Sequence, residues 1–317
     1  MTTAEPLVVE VERSGLVEST HLVDVAVTEA DGTPVAWAGE PRTVVYLRSS
    51  AKPFQALTCL ENGWQSPGVD QLAVACGSHN GEPEHVAAAR ATLEAAGIPE
   101  SELRCPAAWP FRPEDAAAVG RAEPIFHNCS GKHAAMLATA KANGWPFDDY
   151  RSPDHPMQRA VAATLSRLAG REPDRAATDG CGVRTFAFSL EASATLFGRL
   201  ASAAPAVVDA MAARPFFVAG TGRLCTAILR TLPGVVIKIG AEGLACVALR
   251  ERGLGFALKS RDGTQRARDV AVVAVLEALE MLPDPLPEML APHASPLVSG
   301  GGVRVGSVAV RGTLHRA

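Results

Sequence analysis

Residues 44–54 read Val44-Val45-Tyr46-Leu47-Arg48-Ser49-Ser50-Ala51-Lys52-Pro53-Phe54, and within this stretch the texture of the chain changes. Everything before it has the period of strands. Leu7 to Val11 and His21 to Thr28 alternate, and Asp31-Gly32 supplies a hairpin turn before Val35 to Ala38. The residues after it have the period of a helix. Phe54, Ala56, Leu57 and Leu60 form an apolar stripe that stops at Asn62-Gly63, Pro53 belongs in the first turn, and Ser49 or Ser50 is placed to cap it.

The same spacing predicts helices at Pro83 to Ala96, Gly131 to Ala142, Pro156 to Leu168 and Thr264 to Leu282. From Gly234 strand texture returns in Val235 to Ile239, Leu244 to Leu249 and Leu254 to Lys259, the last two joined across Glu251-Arg252-Gly253 as a hairpin. A Pro-rich loop from Pro283 to Pro296 leads to a last strand near Val303 to Val310. Strands at both ends with helices between them predict an α+β fold, an antiparallel sheet built from both chain ends with flanking helices. No repeat or linker cuts the chain. A single domain over 1–317 is expected, with a helical part of roughly 50–232 inserted between the sheet-forming ends.

The chain has 317 residues, 47% hydrophobic and 20% charged, which suits a globular protein with a real core. Its net charge of −4 is spread along the length without a basic block, so nucleic acid is not an expected partner. The start lacks an export signal, and no stretch runs 18 residues without charge. The expectation is a cytoplasmic protein with no membrane partner. Seven widely spaced cysteines then read as reduced thiols, and Cys59, Cys225 and Cys246 lie in apolar runs that suit plain burial. Only five of the 30 basic residues are Lys, at 52, 132, 141, 238 and 259. Lys can shed its proton in a dry site and Arg cannot, so each Lys is a candidate for chemistry.

Ser49-Ser50-Ala51-Lys52 is an S-x-x-K element at a helix start, where a Lys amine can reach the hydroxyl of the residue three before it. The helix N-terminus disfavours an ammonium and offers N–H groups to an oxyanion. The loop Cys76-Gly77-Ser78-His79-Asn80-Gly81-Glu82 gathers a hydroxyl, an imidazole, an amide and a carboxylate on a glycine-flanked turn. Its Ser78-His79-Asn80 has the S-x-N form that accompanies S-x-x-K in penicillin-recognising enzymes, although neither Lys238 nor Lys259 is followed by their Thr-Gly. Asn128-Cys129-Ser130-Gly131-Lys132-His133 sets Cys129 and Lys132 three apart at another helix start, and Asp179-Gly180-Cys181-Gly182 sets a second thiol between glycines. Cys-x-x-Lys is not a zinc-finger spacing, and a nucleophilic Cys129 lowered by His133 is the alternative to a metal.

Together with Arg48-Ser49-Ser50-Ala51-Lys52-Pro53, Ala219-Gly220-Thr221-Gly222-Arg223 and Lys238-Ile239-Gly240-Ala241-Glu242-Gly243, these elements resemble the thermolabile L-asparaginase II family, the third structural class of asparaginases. The resemblance runs in motif order from about residue 7 to 282. It implies the serine β-lactamase and glutaminase fold and two Ser-Lys pairs, Ser49 with Lys52 and Ser78 with Lys259, Lys238 being the other strand lysine. It also implies a zinc ion on Cys129, Lys132 and Cys181, with solvent in the fourth position, and a homodimer.

The activity it implies is hydrolysis of the L-asparagine side-chain amide, with Ser49 attacking, Lys52 as base, and Ser78 with Lys259 relaying the proton to ammonia. Arg48 or Arg223 is expected on the α-carboxylate and Asp179 or Glu82 on the α-ammonium, with Asn128 and His133 completing the substrate-binding set. A glutaminase, a penicillin-type amidase, or a non-catalytic zinc-holding protein that binds an amino acid are the rival readings.

Overall fold

The computed structural model describes residues 1–317 and divides into two compact units. One comprises Met1–Ser50, Phe188–Ala201 and Ala227–Ala317, and the other Ala51–Ala187 and Ser202–Thr226. No single helix is long and apolar enough to cross a membrane.

The first unit is a nine-stranded antiparallel sheet. Its main path runs Val298–Gly300, Val303–Arg311, Leu7–Arg13, Leu16–Glu29, Leu254–Ser260, Leu244–Leu249 and Val235–Ile239. Pro34–Ala38 pairs with Leu16–Glu29 and carries His315–Arg316 on its far side. The early pair Leu7–Arg13 and Leu16–Glu29 therefore lies between late strands, Val9 opposite Val310 and Val25 opposite Leu258. Leu244–Leu249 is buried at every position, which is why it reads as a continuous apolar run rather than an alternation. The helix Gln265–Ala278 packs on this sheet with Val270, Val272, Val275 and Leu276 in the core. The helix Leu190–Ala203 crosses it so closely that a Cβ at Gly255 would lie 2.0 Å from the Ala194 carbonyl oxygen. Gly255→Ala would force these two elements apart.

The second unit is helical. Ser130–Ala142 lies in its middle and is buried from Ser130 through Ala140. A helix covered on all sides needs small residues rather than one apolar stripe, and its Ala-rich sequence provides them. Val69–Ala75, Pro83–Ala95 and Lys52–Glu61 pack around it. Arg175–Thr178 and Arg184–Ser189 form a short hairpin that the sequence pattern did not announce.

The entry to the helix Lys52–Glu61 differs from the expected serine cap. The chain arrives through a 3-10 turn, Arg48–Ala51, so the cap residue is Ala51, already helical at φ −73° and ψ −13°. Ser50 Oγ is instead turned to the Lys238 carbonyl oxygen at 2.9 Å.

Candidate active site

In the helical unit, the first residue of Lys52–Glu61 points its side chain into the protein, where Lys52 is 1% exposed. Its Nζ lies 2.6 Å from Gly77 O, 2.9 Å from Asn128 O and 2.9 Å from Ser78 Oγ. Burial lowers the pKa of this amine from its ordinary value, Lys132 adds repulsion, and the sulfurs of Cys129 and Cys181 oppose both. The three contacts aim Nζ at the Gly77 and Asn128 carbonyl oxygens and at the Ser78 hydroxyl oxygen.

Ser78 is held from its backbone, where its N–H donates to Val218 O at 2.8 Å. The next residue braces the loop. His79 Nδ1 accepts from Gly81 N, which leaves the proton on Nε2 to donate to Ser130 Oγ at 3.1 Å. Burial, with His85 and Lys52 nearby, holds the His79 pKa well below the ordinary value, in keeping with that neutral tautomer. Ser49, on the 3-10 turn, is half-buried, and Lys52 is hydrogen-bonded to Ser78 rather than to it.

The other residues expected around a substrate have varied placements. Glu82 accepts from Thr221 N and Asn80 Nδ2 on one oxygen and from Thr221 Oγ1 and Arg112 on the other. Burial alone would raise its pKa, but these bonds pull it down to about 2. Its carboxylate is thereby committed to the framework. Arg223 donates to Asn80 Oδ1 and lies over the Phe111 ring. Asn128 gives its carbonyl to Lys52 and its side-chain oxygen to the Cys129 thiol. His133 is fully buried, with Nδ1 2.6 Å from the Tyr150 hydroxyl. Asp179 closes the hairpin loop, its side chain accepting from Gly180 N.

That loop carries Cys181 to the start of Ser130–Ala142. Gly131 allows the approach of a neighbouring helix there, since a Cβ would lie 2.8 Å from Val74 O. Lys132 Nζ is 3.0 Å from Cys181 Sγ. The closeness of Cys181 and burial raise the Cys129 pKa, and Cys129 and Lys132 lower that of Cys181 against its burial. Burial opposes charge on Lys132, but the two sulfurs hold its pKa up. No group of three or more His, Cys, Asp or Glu side chains is placed to hold a metal, so a third donor would have to be the Lys132 amine. Two thiols and an amine are donors that zinc accepts, and the buried Nε2 of His133 has no hydrogen-bond partner. The residues present fit the group.

The sheet unit holds a cavity of about 410 Å³ lined by Arg48, Glu242, Lys259, Arg261, Asp24 and Glu40 among others. Lys259 faces it and gives its ammonium to Ser260 O. Burial lowers the Lys259 pKa, with Glu242, Asp262 and Asp24 opposing. Lys238, by contrast, is buried within its strand and bonds Ile239 O at 2.9 Å. Four residues other than glycine have positive φ, and two of them, Arg48 at 48° and Glu242 at 57°, line this cavity. Each costs about 1–3 kcal/mol. In the sequence Glu242 stands out only as part of a motif, because a backbone angle leaves no mark in composition or spacing.

No curated protein matches this chain. Its fold is similar to the structure of Mglu in its glutamate form at 15% identity and TM-score 0.48, over 82% of this chain and 61% of that one. The chain thus spans about six-tenths of that protein's length. A Bacillus glutaminase is similar at 11% identity and TM-score 0.46, over 82% of this chain and 91% of that one. A β-lactamase from Mycobacterium bovis is similar at 15% identity and TM-score 0.37, over 82% and 95%. The model of the L-asparaginase II family matches residues 9–310, nearly the whole sequence, and the chain belongs to that family.

Proposed function

We propose that the protein hydrolyses the side-chain amide of L-asparagine to L-aspartate and ammonia through an acyl-serine. Family membership supports the amide-hydrolysing class. The observation that carries the mechanism is the buried Lys52 amine, 2.9 Å from Ser78 Oγ, with two carbonyls on its remaining donors.

In this reading Lys52 takes the Ser78 proton as the oxygen bonds to the amide carbon. The C–N bond then breaks as Lys52 returns the proton to the leaving nitrogen, releasing ammonia. Water attacks the ester, giving its proton to Lys52, which passes it back to Ser78 as the acid departs. Ser78 is favoured over Ser49 as nucleophile because its hydroxyl meets the base. Zinc on Cys129, Lys132 and Cys181 would supply a fixed positive charge for a substrate oxygen. Its binding requires the Cys129 and Lys132 protons to leave. The proton transfers belong to Lys52.

The test is ammonia release from L-asparagine and L-glutamine in parallel. Faster release from L-asparagine is expected. Release from neither, or faster release from L-glutamine, overturns the reading.

A further inference from the structure

Lys52 lies close enough to three imidazoles, those of His79, His127 and His133, for a charge on it to be felt by each. Two of the three are committed to the fold. His79 is fully buried and donates through Nε2 to Ser130 Oγ, and His133 is fully buried with Nδ1 on the Tyr150 hydroxyl. His127 differs from both. It is half-buried, and only one of its ring nitrogens meets the protein.

That nitrogen is Nδ1, which accepts from Cys129 N at 3.1 Å. A neutral imidazole has one acceptor and one donor, so the proton lies on Nε2. This N–H meets no protein acceptor and is not sealed in the core. The backbone beneath the ring is fixed, since His127 N donates to Pro124 O at 3.1 Å and His127 O accepts from Ser130 N at 2.9 Å. The next residue, Asn128, gives the carbonyl that holds Lys52 Nζ at 2.9 Å, and the same Nζ stands 2.9 Å from Ser78 Oγ. A braced and unclaimed N–H is thus held near the amine and the hydroxyl, all within the helical unit. His127 is not grouped with Cys129 and Cys181 as a metal donor, and a proton on Nε2 removes the lone pair that a metal would need.

We propose that His127 is a further catalytic residue, whose Nε2–H donates to the amide oxygen of the substrate in a bond that strengthens as Ser78 adds to the carbon and the oxygen takes up negative charge. The choice of acceptor rests on the amide-hydrolase reading; the open donor near Lys52 does not. A donor fixed before the reaction needs no rearrangement as charge develops, so it favours the transition state over the bound substrate.

The test uses two near-isosteres. Asparagine carries its amide oxygen where imidazole has Nδ1, so His127→Asn keeps an acceptor for Cys129 N and loses the Nε2 donor. Glutamine carries its amide nitrogen where imidazole has Nε2, so His127→Gln keeps the donor and loses the brace. With L-asparagine, kcat should fall by about 100- to 1,000-fold in His127→Asn with KM little changed, the usual cost of one oxyanion donor, and by less than about 10-fold in His127→Gln. A purely structural histidine gives the reverse order. Equal losses in the two variants, or the larger loss in His127→Gln, overturn the assignment. Heteronuclear NMR of histidine-labelled protein separates this from the parent reading, the His127 signals being those absent from His127→Asn. The proton should sit on Nε2, and the Nε2 signal should move when L-aspartate is added. If the wild type hydrolyses neither L-asparagine nor L-glutamine but the signal moves, the hydrolase reading fails and the donor stands as a binding contact. A proton on Nδ1, or an Nε2 signal indifferent to L-aspartate, overturns the donor.

Discussion

Lys52 Nζ stands 2.9 Å from Ser78 Oγ, although the two residues are 26 positions apart and Ser49 is only three positions from the same lysine. Two carbonyls at 2.6 and 2.9 Å hold the amine in place. The lysine side chain thus bridges from its own helix to the loop after Val69–Ala75.

Ser78→Ala should therefore cost at least about 100- to 10,000-fold in kcat, the usual worth of a positioned proton-transfer partner, while leaving the fold intact. Ser49→Ala should be milder. Lys52→Arg should be as damaging as Ser78→Ala, because a guanidinium cannot accept the proton. Mass spectrometry of quenched enzyme should find the acyl group on Ser78; an acyl group on Ser49 would exchange the roles of the two serines. Since the pKa of Lys52 is lowered, wild-type activity should rise with pH on a limb below the ordinary lysine value of 10.5.

Glu82 provides a pH-dependent stability. Its folded pKa of about 2 lies below the ordinary 4.5, so its contribution is complete above about 4.5 and is lost as pH falls through about 2. A shift of this size corresponds to roughly 3 kcal/mol at neutral pH. Glu82→Gln should lower stability to urea at pH 7 by an amount of that order, and the gap to wild type should close towards pH 2. A gap that stays constant with pH would remove the charge from the explanation.

Metal analysis of protein purified without chelator should give one zinc per chain, lost in Cys129→Ser and Cys181→Ser. Cobalt substitution should produce a thiolate charge-transfer band that disappears in both variants. With the proton transfers proposed for Lys52 and not for the metal, chelation should raise KM more than it lowers kcat. Full-length protein with neither metal nor band would return both sulfurs to plain buried thiols.

Leu16 is 70% exposed, Val17 45% and Val303 63%, on two strands of the sheet unit that flank Leu7–Arg13. Apolar side chains left in water along one sheet suit a two-fold contact between copies. Light scattering should give twice the 33.0 kDa chain mass, and Leu16→Glu with Val303→Glu should halve it. A monomeric wild type would refute the dimer.

Much of the fold was legible because apolar runs were bounded by glycines or charges: Val235–Ile239, between Gly234 and Gly240, and Leu244–Leu249, between Gly243 and Arg250, begin and end where the pattern places them. The hairpin around Cys181 was not legible. Its first strand, Arg175–Thr178, has only two alanines as apolar residues and is mostly exposed, so it carries little strand signal. Its Asp179-Gly180 turn read as part of a thiol motif. At the site, Cys129, Lys132 and Cys181 could be singled out separately, and folding brings Lys132 and Cys181 together. The partnership of Lys52 could not be read, because S-x-x-K suggests a local pair while the reach of a lysine side chain lets it serve a distant loop. Glu242 was hidden for a different reason: its signal is a dihedral angle.

The placing of the early strands between late ones also sets an order of assembly during synthesis. Leu16–Glu29 is paired on one side with Leu7–Arg13 and on the other with Leu254–Ser260, so the sheet cannot close until the ribosome has passed residue 260. Residues 51–187 of the helical unit are continuous and carry Lys52, Ser78, Cys129 and Cys181. Local contacts form first, and domains fold as their residues emerge. The lysine and its serine are therefore in place while the amino-terminal strands, paired with one another, still lack Leu254–Ser260 and Val303–Arg311. A nascent chain stalled between residues 226 and 254 should resist protease between Lys52 and Cys181 and remain open to it between residues 7 and 38.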